Sequence, residues 1–157
     1  MVTTATRNRW PVLALFVAAV AAVAVVGSLA ATDSGAEYLA LERPAWAPPR
    51  WLFGPAWTVL YLLIALSGWL VWLARGWSPA FTVYAVQLAL NAVWTPLFFA
   101  AGQYGLAFAE IVILWAAIVA NIVVFWRVRR AAALLLVPYL LWVTYAAALN
   151  YAIWQLN

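Results

Sequence analysis

Five long stretches of the sequence carry almost no charge, and their lengths constrain the fold more than any other feature. They cover about residues 10–31, 55–73, 79–101, 105–126 and 131–154. A helix needs about 20 apolar residues to cross the roughly 30 Å hydrocarbon core of a bilayer. We therefore expect an all-α membrane protein, a bundle of five transmembrane helices forming one domain over residues 1–157.

The composition excludes a soluble globular protein and most conventional catalytic chemistry. Of all residues 70% are apolar and 8% are charged, and the mean hydropathy is +1.01. A water-facing surface needs roughly a quarter of its residues charged, so this chain must be solvated by a lipid bilayer. Without Cys or His it offers no thiolate nucleophile, no histidine-based triad and no imidazole ligand for a metal or haem. We expect no metal site and no tightly bound cofactor.

The basic residues are all arginines beside the apolar stretches, so the net charge of +4 indicates membrane topology and no nucleic-acid partner. One side of the five-span arrangement carries Arg7, Arg9, Arg75, Arg127, Arg129 and Arg130. The other side has only Arg43 and Arg50, diluted by acids. The positive-inside rule therefore predicts a cytoplasmic N-terminus in a bacterial cytoplasmic membrane.

The first span has a rival interpretation as a cleaved signal peptide. Arg7 and Arg9 precede the apolar run, and residues 28–30 (SLA) resemble a cleavage site. The run is longer than the usual apolar region of a signal peptide, and four more spans follow. We expect a retained signal anchor.

The loop at about residues 32–54 is the only substantial segment outside the spans. Ser34 and Glu37 have capping-box spacing, which predicts a short helix to about Leu41. The following segment 43–51 contains two Trp and a Pro-Pro pair that favours a stiff, extended course. Such a segment fits a lid. It fits equally well a linker whose Trp residues anchor at headgroup depth.

Polar side chains within the spans mark the interior of the bundle, because lipid makes them costly. Gln87, Asn91 and Trp94 fall at i, i+4 and i+7, on one face of the third helix. Amides at such positions often bond across helices for about 0.6 kcal/mol each, and they can also contact a ligand. Both roles stay open here.

The depths of these residues predict a cavity. Trp57 and Tyr61 share a face of the second helix, and Tyr139, Trp142, Ala146 and Asn150 follow helical spacing in the fifth. Because successive helices alternate in direction, Trp57, Trp94 and Asn150 collect below the loop. An apolar, aromatic cavity with a few amides suits a flat hydrophobic ligand.

Two further expectations concern single residues. Of the twelve Trp, five at span ends are typical interface anchors: Trp10, Trp72, Trp77, Trp126 and Trp154. Glu110 is the one carboxylate within a span and could serve an ion or proton. Its shallow position favours the plainer interpretation that it reaches headgroup water.

Several motifs together resemble one family. They are residues 44–51 (PAWAPPRW), 53–61 (FGPAWTVLY), 87–96 (QLALNAVWTP), 137–142 (VPYLLW) and 149–151 (LNY). In this order they resemble the translocator protein family, also called the tryptophan-rich sensory proteins (TspO/MBR, the peripheral benzodiazepine receptor family). The motifs are specific as a set, and the resemblance covers the whole chain.

The resemblance implies a five-helix bundle, usually a homodimer, that binds protoporphyrin IX or related tetrapyrroles and isoquinoline or benzodiazepine-type ligands beneath the first loop. Family members also occur in outer membranes. With the depth argument, it implies a ligand-binding set of Trp46, Pro48, Trp51, Trp57, Tyr61, Gln87, Asn91, Trp94, Trp142, Ala146 and Asn150. Pro49 completes the loop motif.

Two functions remain open from this resemblance. The first is a ligand-binding membrane sensor or carrier. The second is an enzyme that degrades porphyrin under light and oxygen, with Trp57 and Trp142 as its catalytic residues. Animal members carry a cholesterol-recognition pattern that ends in a basic residue, and none follows Tyr151 here, which argues against a sterol partner.

Overall fold

The computed structural model describes residues 8–31 and 35–157, and every regular element within them is helical. In chain order these are α1 (Trp10–Ala31), α2 (Gly35–Ala40), a 3-10 turn (Arg50–Leu52), α3 (Phe53–Arg75), α4 (Ala80–Thr95), a π turn (Pro96–Ala100), α5 (Tyr104–Trp126), α6 (Arg130–Leu135) and α7 (Val137–Leu156). Five segments are long and apolar enough to span a membrane: α1, α3 with its 3-10 turn, α4 with the π turn, α5, and α6 with α7. The predicted five-span all-α architecture is confirmed, and each predicted bound lies within two residues of an observed one.

Two prolines interrupt the third and fifth spans. Pro96 has no N–H to continue the α-helical ladder, and the chain widens into a π turn closed by a 2.9 Å hydrogen bond from Ala101 N to Pro96 O. Pro138 separates α6 from α7 in the same way, because it cannot donate to the carbonyl four residues earlier. The sequence predicted both spans but neither interruption.

The five spans form a closed ring. The first helix, α1, packs against α3 and α4; α4 packs against α5, and α5 against α6 and α7. The ring closes where α6 packs against α3. Phe16 and Val20 of α1 are buried in these contacts, so the first span packs as part of the bundle.

One end of the bundle, called the loop end below, carries most of the chain outside the spans. The loop end comprises α2, the loop at residues 41–52, the π turn and the last turn of α7. The short helix predicted in the loop is present as α2, although Ser34 of the proposed capping box lies outside the described residues.

Four of the five span-end Trp residues are well exposed: Trp10, Trp77, Trp126 and Trp154. Trp72 is different, because it is 4% exposed and packs against the Trp77 ring at 6.4 Å. The expectation that Trp72 anchors at the interface is therefore wrong. The Trp72 side chain, in the last turns of α3, faces neighbouring helices. The sequence could not show this, because it does not reveal how α3 is rotated about its own axis.

Candidate functional site

A cavity of about 280 Å³ lies at the loop end between α1, α2, the first turns of α3 and the π turn. Its lining residues come from six elements of the chain: Ala24, Gly27, Ser28, Ala31, Tyr38, Arg50, Phe53, Gly54, Trp57, Thr58, Tyr61, Thr95 and Phe99. Most of these side chains are small or aromatic. The cavity therefore has the apolar character that was expected, but it lies nearer to α1 than the depth argument predicted.

The α1 wall is built from small residues at helical spacing. Ala24, Gly27, Ser28 and Ala31 stand at i, i+3, i+4 and i+7, so they share one face of the helix. Their short side chains leave room that Leu or Val would fill. This spacing is the signal in the sequence that could have located the cavity, and it was missed.

The α3 wall is aromatic. Phe53, Trp57 and Tyr61 recur every fourth residue along one face, and the Trp57 and Tyr61 rings stack with centroids 5.5 Å apart. Phe99, carried by the π turn, meets the Phe53 ring edge to face at 6.2 Å. This side of the cavity is therefore formed by aromatic rings.

Tyr38 of α2 fastens the loop over the cavity, and the sequence analysis missed it. Its side chain is 2% exposed, its ring meets Phe53 edge to face at 5.5 Å, and its hydroxyl donates to Pro48 O at 3.2 Å. The Arg43 guanidinium lies 4.8 Å from the ring centroid. Burial raises the pKa of Tyr38 above its ordinary value, so the hydroxyl stays neutral and keeps its donor.

Two further contacts dock the loop onto α7. The Tyr145 hydroxyl donates to Trp46 O at 2.6 Å. The side-chain amide of Asn157 accepts from Glu42 N at 3.2 Å and donates to Glu42 O at 3.0 Å. The loop is thus held by a few side-chain contacts to its backbone.

The three predicted loop residues do not line the cavity. Trp46 is half exposed and packs on Tyr145 with ring centroids 5.8 Å apart. Trp51 is 71% exposed at the surface. Pro48 is buried and serves as the acceptor for Tyr38. Trp46 and Pro48 therefore help to hold the loop, and Trp51 lies at the surface.

The amides of α4 form a hydrogen-bonded chain between helices. Tyr61 Oη donates to Asn91 Oδ1 at 2.9 Å, and Asn91 Nδ2 donates to Tyr139 Oη at 2.8 Å. Tyr139 Oη donates in turn to Gln87 Oε1 at 2.9 Å. This chain links α3, α4 and α7 directly behind the Tyr61 ring. Of the two roles left open for these amides, the structure displays interhelical bonding.

A second polar link joins Trp94 and Asn150, which were also predicted to contact ligand. Trp94 Nε1 donates to Asn150 Oδ1 at 3.0 Å, and Asn150 Nδ2 donates to Tyr104 O at 2.8 Å. Ala146, one turn before Asn150, is buried in the same interior. None of the three residues lines the cavity, although the Trp94 ring meets Phe99 of the cavity wall edge to face at 6.1 Å.

Trp142 stands behind Trp57. The two rings meet edge to face at 6.4 Å, with an interplanar angle of 85°. The other side of Trp142 lines an open apolar groove between α3 and α7, together with Pro55 and Leu141. Trp57 and Tyr61 are therefore the two predicted ligand-binding residues at the cavity wall. Trp142 does not line the cavity, but its ring contacts two residues of the wall, Trp57 and Phe53.

Glu110 departs from its expected environment. The residue is 9% exposed, and both carboxylate oxygens are enclosed by protein without a hydrogen-bond partner among the described residues. The expectation that it reaches headgroup water is wrong, because α5 turns this side chain toward the bundle interior. Glu110 does not line the cavity.

Comparison with known proteins identifies the family. The sequence profile of the TspO/MBR family matches residues 15–155. The chain belongs to the TspO/MBR family. Protein CrtK of Rhodobacter capsulatus is 41% identical over 150 residues, which cover 92% of this chain and 94% of CrtK.

Relatives with descriptive names span bacteria and animals. The tryptophan-rich sensory protein of Cereibacter sphaeroides is 38% identical over 148 residues, covering 94% of this chain and 92% of that protein. The translocator protein of Homo sapiens is 38% identical over 125 residues, covering 76% of this chain and 74% of the human protein. This TspO/MBR-family chain is thus an integral membrane protein similar to sensory and translocator proteins.

Proposed function

We propose that this TspO/MBR-family protein binds a flat, apolar tetrapyrrole such as protoporphyrin IX in the cavity below the loop and acts as a membrane sensor or carrier. The observation that carries the proposal is the stacked pair of Trp57 and Tyr61 rings, 5.5 Å apart, at the cavity wall. Aromatic rings bind other flat rings through offset stacking and edge-to-face contacts. Isoquinoline and benzodiazepine-type ligands, which are also flat and apolar, would use the same wall.

The volume of the cavity limits how much of a tetrapyrrole it can enclose. At about 280 Å³ it is near the lower end of the roughly 300–1,000 Å³ typical of ligand pockets. A smaller bicyclic ligand fits inside. A four-ring macrocycle is larger, so we infer that it enters with one edge and that the rest passes through the mouth, unless the loop moves outward.

If the protein is a sensor, movement of the loop would signal that a ligand is bound. The loop is held by hydrogen bonds from Tyr38, Tyr145 and Asn157 to backbone atoms. Each such bond contributes only about 1 kcal/mol net, so a ligand that binds better with the loop displaced would shift its position. The shifted loop would then change the binding of a partner protein or allow the ligand to be released.

A titration of the purified protein with protoporphyrin IX tests the proposal. We expect saturable quenching of tryptophan emission, and we expect an isoquinoline ligand to displace the porphyrin. The same titration on a scrambled apolar peptide in the same nanodiscs measures partition into lipid. Linear, unsaturable quenching equal to that control would refute binding.

The alternative function, porphyrin degradation, is supported by one contact. Trp57 at the cavity wall touches Trp142 edge to face, so an electron lost from Trp57 to a photoexcited porphyrin could be replaced from Trp142. The porphyrin radical anion would pass its electron to dioxygen, the superoxide formed would add to the macrocycle, and the adduct would return one electron to the oxidised Trp142, so that dioxygen is the net oxidant. This reading requires that the porphyrin absorption band bleach under light and oxygen, and that bleaching stop in Trp142→Phe while binding persists. Equal bleaching by the variant, or by free indole, would refute the degradation hypothesis.

We further propose a homodimer in a bacterial cytoplasmic membrane, with the N-terminus in the cytoplasm. The arginine bias toward the end opposite the loop supports this orientation. The homodimer follows the usual state of the family that the sequence resembles. Light scattering of the detergent-solubilised protein, corrected for bound detergent, would yield twice the chain mass; the monomer mass alone at all concentrations would contradict it.

A further inference from the structure

The charge at the mouth of the cavity points to the chemistry of the ligand. Among the described lining residues Arg50 is the one with a formal charge, and none is acidic. Its side chain is exposed, and it forms no ion pair with another described residue. The described lining of the cavity therefore combines apolar and aromatic side chains with one exposed cation.

The loop holds Arg50 in a defined place. Pro49, immediately before it, has φ −64° and ψ 146°, the extended conformation that a Pro-Pro pair favours. Pro48 is fixed by the hydrogen bond from Tyr38, and Leu52 N donates to Pro49 O at 3.0 Å to close the 3-10 turn. The backbone that carries the guanidinium is thus ordered at the cavity rim.

The other charged and polar groups that the structure describes near the cavity do not pair with Arg50 and are placed differently. Arg43 lies over the Tyr38 ring, and the two loop acids among the described residues, Glu37 and Glu42, are exposed and do not line the cavity. The Thr58 hydroxyl already donates to Gly54 O at 2.8 Å within α3. A negatively charged ligand group at the rim would meet Arg50 as its charged partner.

We propose that Arg50 binds a carboxylate of the ligand and makes the site selective for flat, apolar molecules that carry an acidic group at one edge. The inference rests on the proposed function, because it takes the cavity as the binding site and specifies the class of ligand. Guanidinium groups match carboxylates with two parallel hydrogen bonds. A macrocycle that enters with one edge leaves its acidic substituents at the mouth, where the guanidinium lies.

A matched pair of ligands isolates the contribution of the carboxylate. Protoporphyrin IX and its dimethyl ester share one macrocycle and differ only in the two acidic groups. In nanodiscs of phosphatidylcholine, which has no net charge, we expect the wild type to bind the diacid about tenfold more tightly than the ester, as befits an exposed charge-assisted contact. Added salt should weaken binding of the diacid and leave the ester unchanged.

Variants assign the preference to Arg50. Arg50→Gln should bind diacid and ester alike, at the wild-type affinity for the ester, while Arg50→Lys keeps part of the preference. Arg75→Gln, at the opposite end of α3, removes the same charge and should bind as the wild type. Persistence of the full preference in Arg50→Gln would overturn the proposal.

The outcomes separate this inference from the proposed function. Equal binding of diacid and ester by the wild type overturns the role of Arg50 and leaves porphyrin binding intact. Failure of the wild type to bind either porphyrin overturns both. If Arg50→Gln does not fold, the salt dependence of the two ligands in the wild type decides: equal salt dependence contradicts the proposal.

Discussion

Gly68 is a residue at which the bundle has no room for additional volume. A Cβ atom at this position would lie 2.8 Å from the Phe16 ring of α1 and 2.9 Å from Tyr84 of α4. We expect Gly68→Ala to lower the free energy of unfolding by about 1–3 kcal/mol, as overpacking does. Gly54→Ala is the matched control, since nothing lies within 4 Å of its added Cβ. Thermal unfolding in detergent measures both, and equal melting temperatures would contradict the close packing of α1.

Tyr139 is the centre of the interhelical hydrogen-bond chain, because it accepts from Asn91 and donates to Gln87. Tyr139→Phe leaves two buried amides with fewer partners. We expect a loss of about 1–2 kcal/mol, in the range measured for polar contacts between membrane helices. Tyr151→Phe, at an exposed ring on the same helix, should cost little. Similar losses for both variants would show that the chain does not stabilise the bundle.

The identity of these interior polar residues was predictable, but their partners were not. Lipid excludes unpaired amides, so Gln87, Asn91 and Asn150 had to face protein. The pairing depends on rotation of each helix about its axis, and an apolar helix gives little periodicity from which to read that rotation. The same lack of periodicity hid the burial of Trp72 and Glu110.

At the scale of elements, the loop depends on a tyrosine whose charge state can be changed. Burial raises the pKa of Tyr38, so docking is fully stabilised below the ordinary value of about 10 and weakens as the pH rises through the raised pKa. We expect the loop to become more mobile only in strongly alkaline solution. A spin label on Ala45→Cys reports this, because the chain has no other cysteine.

The control for this experiment must remove the second tyrosine anchor. Tyr145 also donates to the loop, so the comparison is made in a Tyr145→Phe background. There, Tyr38→Phe should give a loop whose mobility does not change between pH 8 and strongly alkaline conditions. The same alkaline transition in both proteins would exclude Tyr38 as its origin.

The helices themselves were largely predictable, because hydrophobic length determines a membrane span. Their internal breaks were harder to predict. Proline is tolerated in membrane helices when neighbours satisfy the freed backbone groups, so Pro96 and Pro138 alone did not define a π turn or an α6–α7 break. The π turn matters for the site, since it places Phe99 in the cavity wall.

For the molecule as a whole, the arginine distribution predicts one orientation in the membrane. Single cysteines at Ala45 in the loop and at Ala131 near the opposite end should react with a membrane-impermeant maleimide from opposite sides. In intact bacterial spheroplasts we expect labelling at Ala45→Cys only, as the positive-inside rule requires. Labelling of Ala131→Cys alone would invert the topology.

The position of the cavity is a property of the whole bundle. The sequence predicted an aromatic cavity under the loop, and the structure has a cavity there with Trp57 and Tyr61 in its wall. The α1 wall was not foreseen, because small residues in an apolar helix resemble ordinary packing positions. Only the assembled ring of helices shows that Gly27 and its neighbours border empty space.

Porphyrin binding by a cavity-filling variant tests the central claim most directly. At Gly27 a Cβ atom would meet Thr95 Oγ1 at 3.6 Å, an ordinary contact, so Gly27→Leu should fold and fill the cavity. We predict that it loses saturable quenching by protoporphyrin IX, whereas Ala116→Leu, on the exposed face of α5, binds as the wild type. Wild-type binding by folded Gly27→Leu would contradict the assignment of this cavity as the site.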